Sequence, residues 1–88
     1  MLRPNFTSQF KKDVKLTKKR GYNLDLLKFV ISTLVKEEEL LKKHRDHALA
    51  GNLKGFRVYH ISPDWLLIYY ISGDVITFSR TGSHSDLL

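Results

Sequence analysis

Three short runs of strand-forming residues, separated by turn signals, limit what this chain can fold into. Gly55 to Ile61 and Trp65 to Tyr70 flank Ser62-Pro63-Asp64, and Val75 to Arg80 follows across Ser72-Gly73-Asp74. The runs are rich in aromatic, β-branched and aliphatic residues, which suit a half-buried pleated surface. Pro63 has no N–H to give to a ladder and belongs at a strand end. Gly73 supplies the positive φ that a tight hairpin turn requires. The runs therefore predict an antiparallel meander. In such a meander the end of the first strand, the start of the second and the end of the third meet at one edge. His60, Asp64, Trp65, Arg80 and His84 are expected to converge there.

The N-terminal half reads differently. Leu2 to Asn5 predicts a short edge strand. From about Thr7, the residues Phe6, Phe10 and Val14 share a stripe at helical spacing, with most of the lysines off it. Gly21 is placed to stop that helix, and Lys18, Lys19 and Arg20 sit in its last turn, where the dipole favours cations. Asn23 or Asp25 caps a second helix whose apolar face is Leu24, Leu27, Ile31 and Leu34. So short a link makes the two helices an antiparallel hairpin. Glu37-Glu38-Glu39 and the residues after it either extend the second helix or form a turn of their own. His44 to Gly55 reads as a loop, with turn signals at Gly51-Asn52 and Gly55. The sum is one α+β domain over residues 1–88, an antiparallel sheet with an N-terminal helical hairpin packed on one face.

Composition excludes several classes of function. The 88 residues contain no cysteine, which removes disulfides, thiolate catalysis and cysteine-bearing zinc sites. Met1 to Phe6 lacks the apolar core of a signal peptide, and no apolar run is long enough to span a membrane, so a cytoplasmic protein is expected. Fifteen Lys and Arg against nine Asp and Glu give a net charge of +6, which favours nucleic acid or an acidic protein as partner. Seven of the cations, Arg3, Lys11, Lys12, Lys15, Lys18, Lys19 and Arg20, fall in the first twenty residues. On a helix alone, such lysines read as a solvated face.

The histidines carry the chemistry. There are four, His44, His47, His60 and His84, with no HExxH motif and no acidic cluster of the kind a two-metal nuclease needs. Metal-free acid–base catalysis fits this set, with no cofactor expected, because one histidine can accept a proton while another donates. RNA cleavage asks for a base at the 2′-hydroxyl, cations on the phosphate and an acid at the leaving 5′-oxygen. Arg57 and Arg80 offer planar forks for phosphate oxygens. Tyr59, Trp65 and Tyr69 are candidates to stack on bases, against core packing for Tyr69, Tyr70 and Phe78. Strict alternation puts Arg57 and His60 on opposite faces, so Arg57 reaches the site only if its strand bulges or ends early.

Taken in order, these residues resemble a known family. Asp46-His47-Ala48-Leu49, Gly51-x-x-Lys54-Gly55-Phe56-Arg57, His60-x-x-Pro63-Asp64-Trp65-Leu66-Leu67-Ile68-Tyr69 and Arg80-Thr81-Gly82-Ser83-His84 are similar to the YafQ branch of the RelE superfamily of bacterial toxins. Lys12-Asp13-Val14-Lys15-Leu16 and Lys19-Arg20 extend the likeness over nearly the whole chain. The resemblance implies a RelE-like fold and a ribosome-dependent endoribonuclease that cuts mRNA in the ribosomal A site. It also implies inhibition by a cognate antitoxin, expected to be acidic, with the free toxin a monomer. By position, the site falls on His47, His60, Asp64, Trp65, Arg80 and His84. His84 is then the general acid and Arg80 the stabiliser of phosphate charge, with His47, His60 or Asp64 as base or base-orienting group. Lys54 and Arg57 are the expected RNA contacts, and Trp65 is a packing or base-contact residue. Leu53 and Leu88 stand where the family has aromatic residues.

Two other functions fit the fold and the charge. A ParE-like toxin would bind DNA gyrase without catalysis, and a simple basic module would bind RNA. Neither needs histidines at the converging edge, which favours the nuclease.

Overall fold

The computed structural model describes residues 1–37 and 55–87, together with the backbone of residues 46–48. His44, Leu53, Lys54, Leu88 and the turn signal at Gly51-Asn52 lie outside the described residues.

Thr7 separates the first strand, β1 (Arg3–Phe6), from helix α1 (Ser8–Lys19). Its hydroxyl oxygen accepts the Phe10 N–H at 3.0 Å, satisfying one of the donors that a helix start leaves unpaired. Past α1 the chain turns at Gly21 with φ +81°, a conformation glycine adopts without a Cβ penalty. Asn23 caps α2 (Leu24–Val35), its side chain accepting the N–H groups of Asp25 and Leu26. Glu37, the first residue of the glutamate run, does not continue α2, and Glu38 and Glu39 lie outside the described residues. The helix ends at Val35, and Glu37 takes a left-handed φ of 58°, a common way of terminating a helix.

The sheet holds β2 (Asp46–Ala48), β3 (Arg57–Ser62), β4 (Trp65–Ser72) and β5 (Val75–Gly82) as well as β1, in the order β1-β5-β4-β3-β2. The meander β3-β4-β5 is antiparallel as its turn residues require. Three features differ from the sequence reading. Asp46–Ala48, read as loop, is an edge strand antiparallel to β3, and three residues are too few to display an alternation. β1 lies parallel to β5, with Arg3 opposite Val75 and Phe6 opposite Phe78, so that edge of the sheet is mixed. The chain also ends in a single helical turn, α3 (His84–Leu87).

The two sheet faces are unequal. Tyr59, Ile61, Trp65, Leu67, Tyr69, Ile76 and Phe78 are buried against Phe10, Leu27, Val30 and Leu34 of the helical hairpin. Phe78 is central, with ring centroids 5.4 Å from Phe6, 6.0 Å from Phe10 and 6.2 Å from Tyr69. Truncating so well-packed an aromatic to alanine costs about 3–5 kcal/mol. The opposite face carries a smaller cluster, Val58, Leu66 and Ile68, covered in part by Phe56 and by Leu87 of α3. On the hairpin side, Phe6, Phe10, Val14, Leu24, Leu27 and Ile31 floor a groove of about 500 Å³ with Lys11, Lys15 and Lys28 around it. No helix among the described residues is long and apolar enough to cross a membrane.

Candidate active site

The register aligns the site. His60 on β3 is opposite Leu66 on β4, and Leu66 is opposite Gly82 at the end of β5. The chain therefore leaves β5 in the same row as His60, and His84 follows two residues later. Ser83 and Asp86 then start α3 by capping each other. The Ser83 N–H donates to Asp86 Oδ2 at 3.1 Å, and the Asp86 N–H donates to Ser83 Oγ at 3.3 Å. This reciprocal pair is a capping box, and it makes His84 the first residue of the turn.

From there His84 reaches back to the β3–β4 turn. Its backbone N–H donates to Asp64 Oδ1 at 3.2 Å, and its Nδ1 lies 2.9 Å from the same oxygen. An ionised carboxylate only accepts, so Nδ1 carries the hydrogen and Nε2 is turned away from Asp64. The hydrogen bond from the His84 ring, and after it the one from the His84 backbone, hold the Asp64 carboxyl below its ordinary value. The His60 ring lies 5.8 Å from the His84 ring, centroid to centroid. The His84 side chain is 48% exposed and that of Asp64 71%, so this cluster is open to a substrate. Among the described residues no group of three or more His, Cys, Asp and Glu is arranged to hold a metal ion.

Arg80 is held from the helical hairpin, by a partner that strand convergence alone did not suggest. A register shift between Ile68 and Tyr69 leaves Arg80 opposite Ile68 and Phe78 opposite Tyr69. Beyond the end of β1 the outer edge of β5 faces α1, whose Asp13 takes the Arg80 Nε at 2.7 Å and Nη2 at 3.3 Å. The same carboxylate accepts the Thr81 N–H at 3.2 Å. The hydrogen bond to Asp13 raises the Arg80 pKa further above its ordinary value, so the side chain stays cationic, and it remains 37% exposed.

Core packing, expected for Tyr69 and open for Trp65, holds for both, and the base-stacking expectation for Tyr59 needs correcting. Trp65 is 4% exposed, stacks edge-on with Tyr22 at 5.0 Å, and donates its Nε1–H to Thr81 Oγ1 at 2.9 Å. Tyr59 and Tyr69 are buried on the same hairpin side. Alternation is the reason: these three positions face α1 and α2, whereas His60 faces the other way. None of the three presents a ring to RNA. The aromatic pair on the histidine side is instead Phe56 and Tyr70, edge to face at 5.1 Å.

Arg57 opens β3 opposite the core residue Tyr69, on the opposite side of the strand from His60. The register shift in β3 falls between His60 and Ser62, beyond Arg57, and so cannot bring it round. The backbone of His47 pairs with Val58, two residues along β3 from His60. The His47 side chain and Lys54 lie outside the described residues.

Sequence reasoning missed the residues that hold these groups. Asp13 secures Arg80, and Arg20 Nη1 lies 2.6 Å from Asp86 Oδ2. That contact, followed by the bonds from Ser83, pushes the Asp86 carboxyl down to about 2. The Ser83-x-x-Asp86 spacing was a legible capping signal. The partners of Asp13 and Arg20, more than sixty residues away, left no local trace.

Comparison with known proteins decides the family. A profile of the bacterial toxin of type II toxin–antitoxin system, YafQ, matches residues 2–88. The chain belongs to the YafQ family of type II toxins. The mRNA interferase toxin YafQ of Escherichia coli K12 is 39% identical over 83 residues, covering 93% of this chain and 90% of that protein. A copper-bound variant of a Helicobacter pylori toxin has 41% identity and a TM-score of 0.94, over 100% of both chains. YafQ in the E. coli DinJ-YafQ toxin–antitoxin complex has 36% identity and a TM-score of 0.92, over 100% of this chain and 99% of that one. The YafQ assignment therefore covers the helical hairpin, the sheet and the histidine edge together.

Proposed function

We propose that this YafQ-family chain is an endoribonuclease that cuts mRNA in the ribosomal A site by acid–base catalysis. The observation that carries the reading is the Asp64–His84 pair beside His60. One carboxylate oxygen lies 2.9 Å from Nδ1 of His84, and the two imidazoles are 5.8 Å apart. Rings at this separation can reach the two reacting oxygens of a single phosphodiester. A base takes the 2′-hydroxyl proton as the 2′-oxygen attacks phosphorus. The bond from phosphorus to the 5′-oxygen breaks, and His84, protonated at Nε2, gives its proton to the departing oxygen. The products are a 2′,3′-cyclic phosphate and a free 5′-hydroxyl. In this scheme Asp64 orients His84, which leaves His60 or His47 as the base, and Arg80 faces the phosphate with the part of its guanidinium that Asp13 does not hold. The E. coli relative named an mRNA interferase supports the reaction class.

The partners follow from charge and kinship. A net charge of +6 suits ribosomal RNA and an acidic antitoxin alike. The E. coli DinJ-YafQ complex supports an antitoxin partner, and the lysine-rimmed apolar groove on the hairpin suits an acidic amphipathic segment. The free toxin is a cytoplasmic monomer in this reading.

Cleavage of a defined mRNA in a purified translation system, with and without ribosomes, tests the proposal. Cuts at codon positions that require ribosomes and vanish in His84→Ala and His60→Ala are the expected result. No cutting by folded wild type would overturn it and turn attention to gyrase supercoiling.

A further inference from the structure

Two polar residues of α1 and the C-cap that follows it lie on one stripe. Asp13, Thr17 and Arg20 recur at i, i+4 and i+7, so they share a helix face beside the apolar stripe of Phe10 and Val14. That face meets the end of β5 and the start of α3. Asp13 is 7% exposed and collects four donors: Gln9 Nε2 at 3.1 Å, Arg80 Nε at 2.7 Å, Arg80 Nη2 at 3.3 Å and the Thr81 N–H at 3.2 Å. The Thr17 hydroxyl donates to the Asp13 carbonyl at 2.8 Å, which steadies that turn. Arg20 Nη1 meets Asp86 Oδ2 at 2.6 Å, the oxygen that also accepts the Ser83 N–H of the capping box.

We propose that this stripe is the positioning element of the cleavage site. Asp13 fixes which edge of the Arg80 guanidinium faces the phosphate, and Arg20, acting through Asp86, fixes where α3 places His84. The proposal rests on the nuclease reading. Asp13 occupies the Nε–Nη2 edge, so an anion meets Nη1 and the outer hydrogen of Nη2. Without that grip the guanidinium swings on a long, rotatable stem. Arg20 braces the capping box from outside, and without it α3 relies on the box itself, the Leu87 contact, the Asp64 bonds and the His60 ring. Neither residue touches the reacting atoms in this arrangement.

Asp13→Asn and Arg20→Gln test the idea beside Arg20→Lys, which keeps the charge, and Lys19→Ala, which removes an equal charge one residue away. Cleavage on ribosomes gives kcat and KM separately. Nitrogen-15 NMR of the His84 ring and the Arg80 Nε reads position without reference to activity, and thermal unfolding identifies folded variants. Displacing a reacting group by about an ångström can cost on the order of 10²-fold in rate. The expected result is a loss of about that size in kcat, with KM little changed, for Asp13→Asn and Arg20→Gln. Arg20→Lys recovers much of the loss, and Lys19→Ala leaves both sets of resonances in place. The Arg80 Nε signal moves in Asp13→Asn, and the bonded His84 Nδ1 signal weakens in Arg20→Gln. Folded variants with wild-type kcat, or with unmoved resonances, overturn the proposal. A wild type that does not cleave at all overturns the nuclease reading instead, and the resonances then decide the positioning by themselves.

Discussion

Asp64 and His84, twenty residues apart, are joined through one carboxylate oxygen, 3.2 Å from the His84 backbone nitrogen and 2.9 Å from its Nδ1. The contact fixes both the place of the last helical turn and the tautomer of its first side chain. It predicts a graded pair of variants. Proton transfer by a positioned side chain contributes about 10²–10⁴-fold to a rate, so His84→Ala is expected to lower ribosome-dependent cleavage by that order. Asp64→Asn should lower kcat with little effect on KM, since the amide NH₂ can turn toward Nδ1 and favour the other tautomer. Steady-state cleavage kinetics on ribosomes would check both.

Trp65 is a folding residue in this structure. Trp65→Phe keeps an aromatic against Tyr22 but removes the Nε1–H bond to Thr81, whose hydroxyl still donates to the Leu66 carbonyl at 2.8 Å. A loss of about 1–2 kcal/mol is expected in urea unfolding, with RNA affinity unchanged. A large loss of RNA binding in a fully folded variant would return Trp65 to the substrate surface.

Acid stability should follow the two lowered carboxyls. Asp86 titrates at about 2 in the folded chain, and Asp64 also lies below its ordinary value. A carboxyl whose folded pKa is depressed releases its proton more readily when folded, so its stabilising effect is complete above the unfolded value and is lost as pH falls through the folded one. Stability should therefore decline from about pH 4 toward pH 2. The decline should be shallower in Asp86→Asn, by circular dichroism across that range.

Gly82 is close to the same group. A Cβ there would lie 3.1 Å from Asp86 Oδ2 and 3.3 Å from Asp86 Cβ, so α3 must give way by a few tenths of an ångström. Gly82→Ala is expected to loosen the Arg20–Asp86 contact, reduce cleavage and lower the melting temperature. Wild-type values for both would show that α3 adapts freely.

The groove on the hairpin gives a prediction about the partner. Lys11→Glu and Lys15→Glu reverse charge beside its apolar floor without touching the histidine face. They should weaken capture by an acidic antitoxin and reduce the dependence of that binding on salt, as read by calorimetry at two ionic strengths.

Much of this protein was legible before its structure. The caps at Thr7 and Asn23, the stop at Gly21 and the turn at Gly73 are local signals, and each element they bound is present. Convergence of His60, Asp64 and His84 followed from strand direction alone, because a meander returns its third strand to the edge where the first one ends. β2 escaped notice because three residues carry no period.

The sequence by itself determined the helical hairpin, the meander, the histidine edge and the likeness to YafQ toxins, since short-range sterics and hydrophobic periodicity act within a few residues. Only the tertiary structure decided which side chains hold that edge in place. Trp65 turned inward because its position in the strand alternation faces the hairpin. Arg80 turned to Asp13, and Asp86 to Arg20, because α1 lies along the end of β5, and ion pairs between residues 67 and 66 positions apart are set by packing in space.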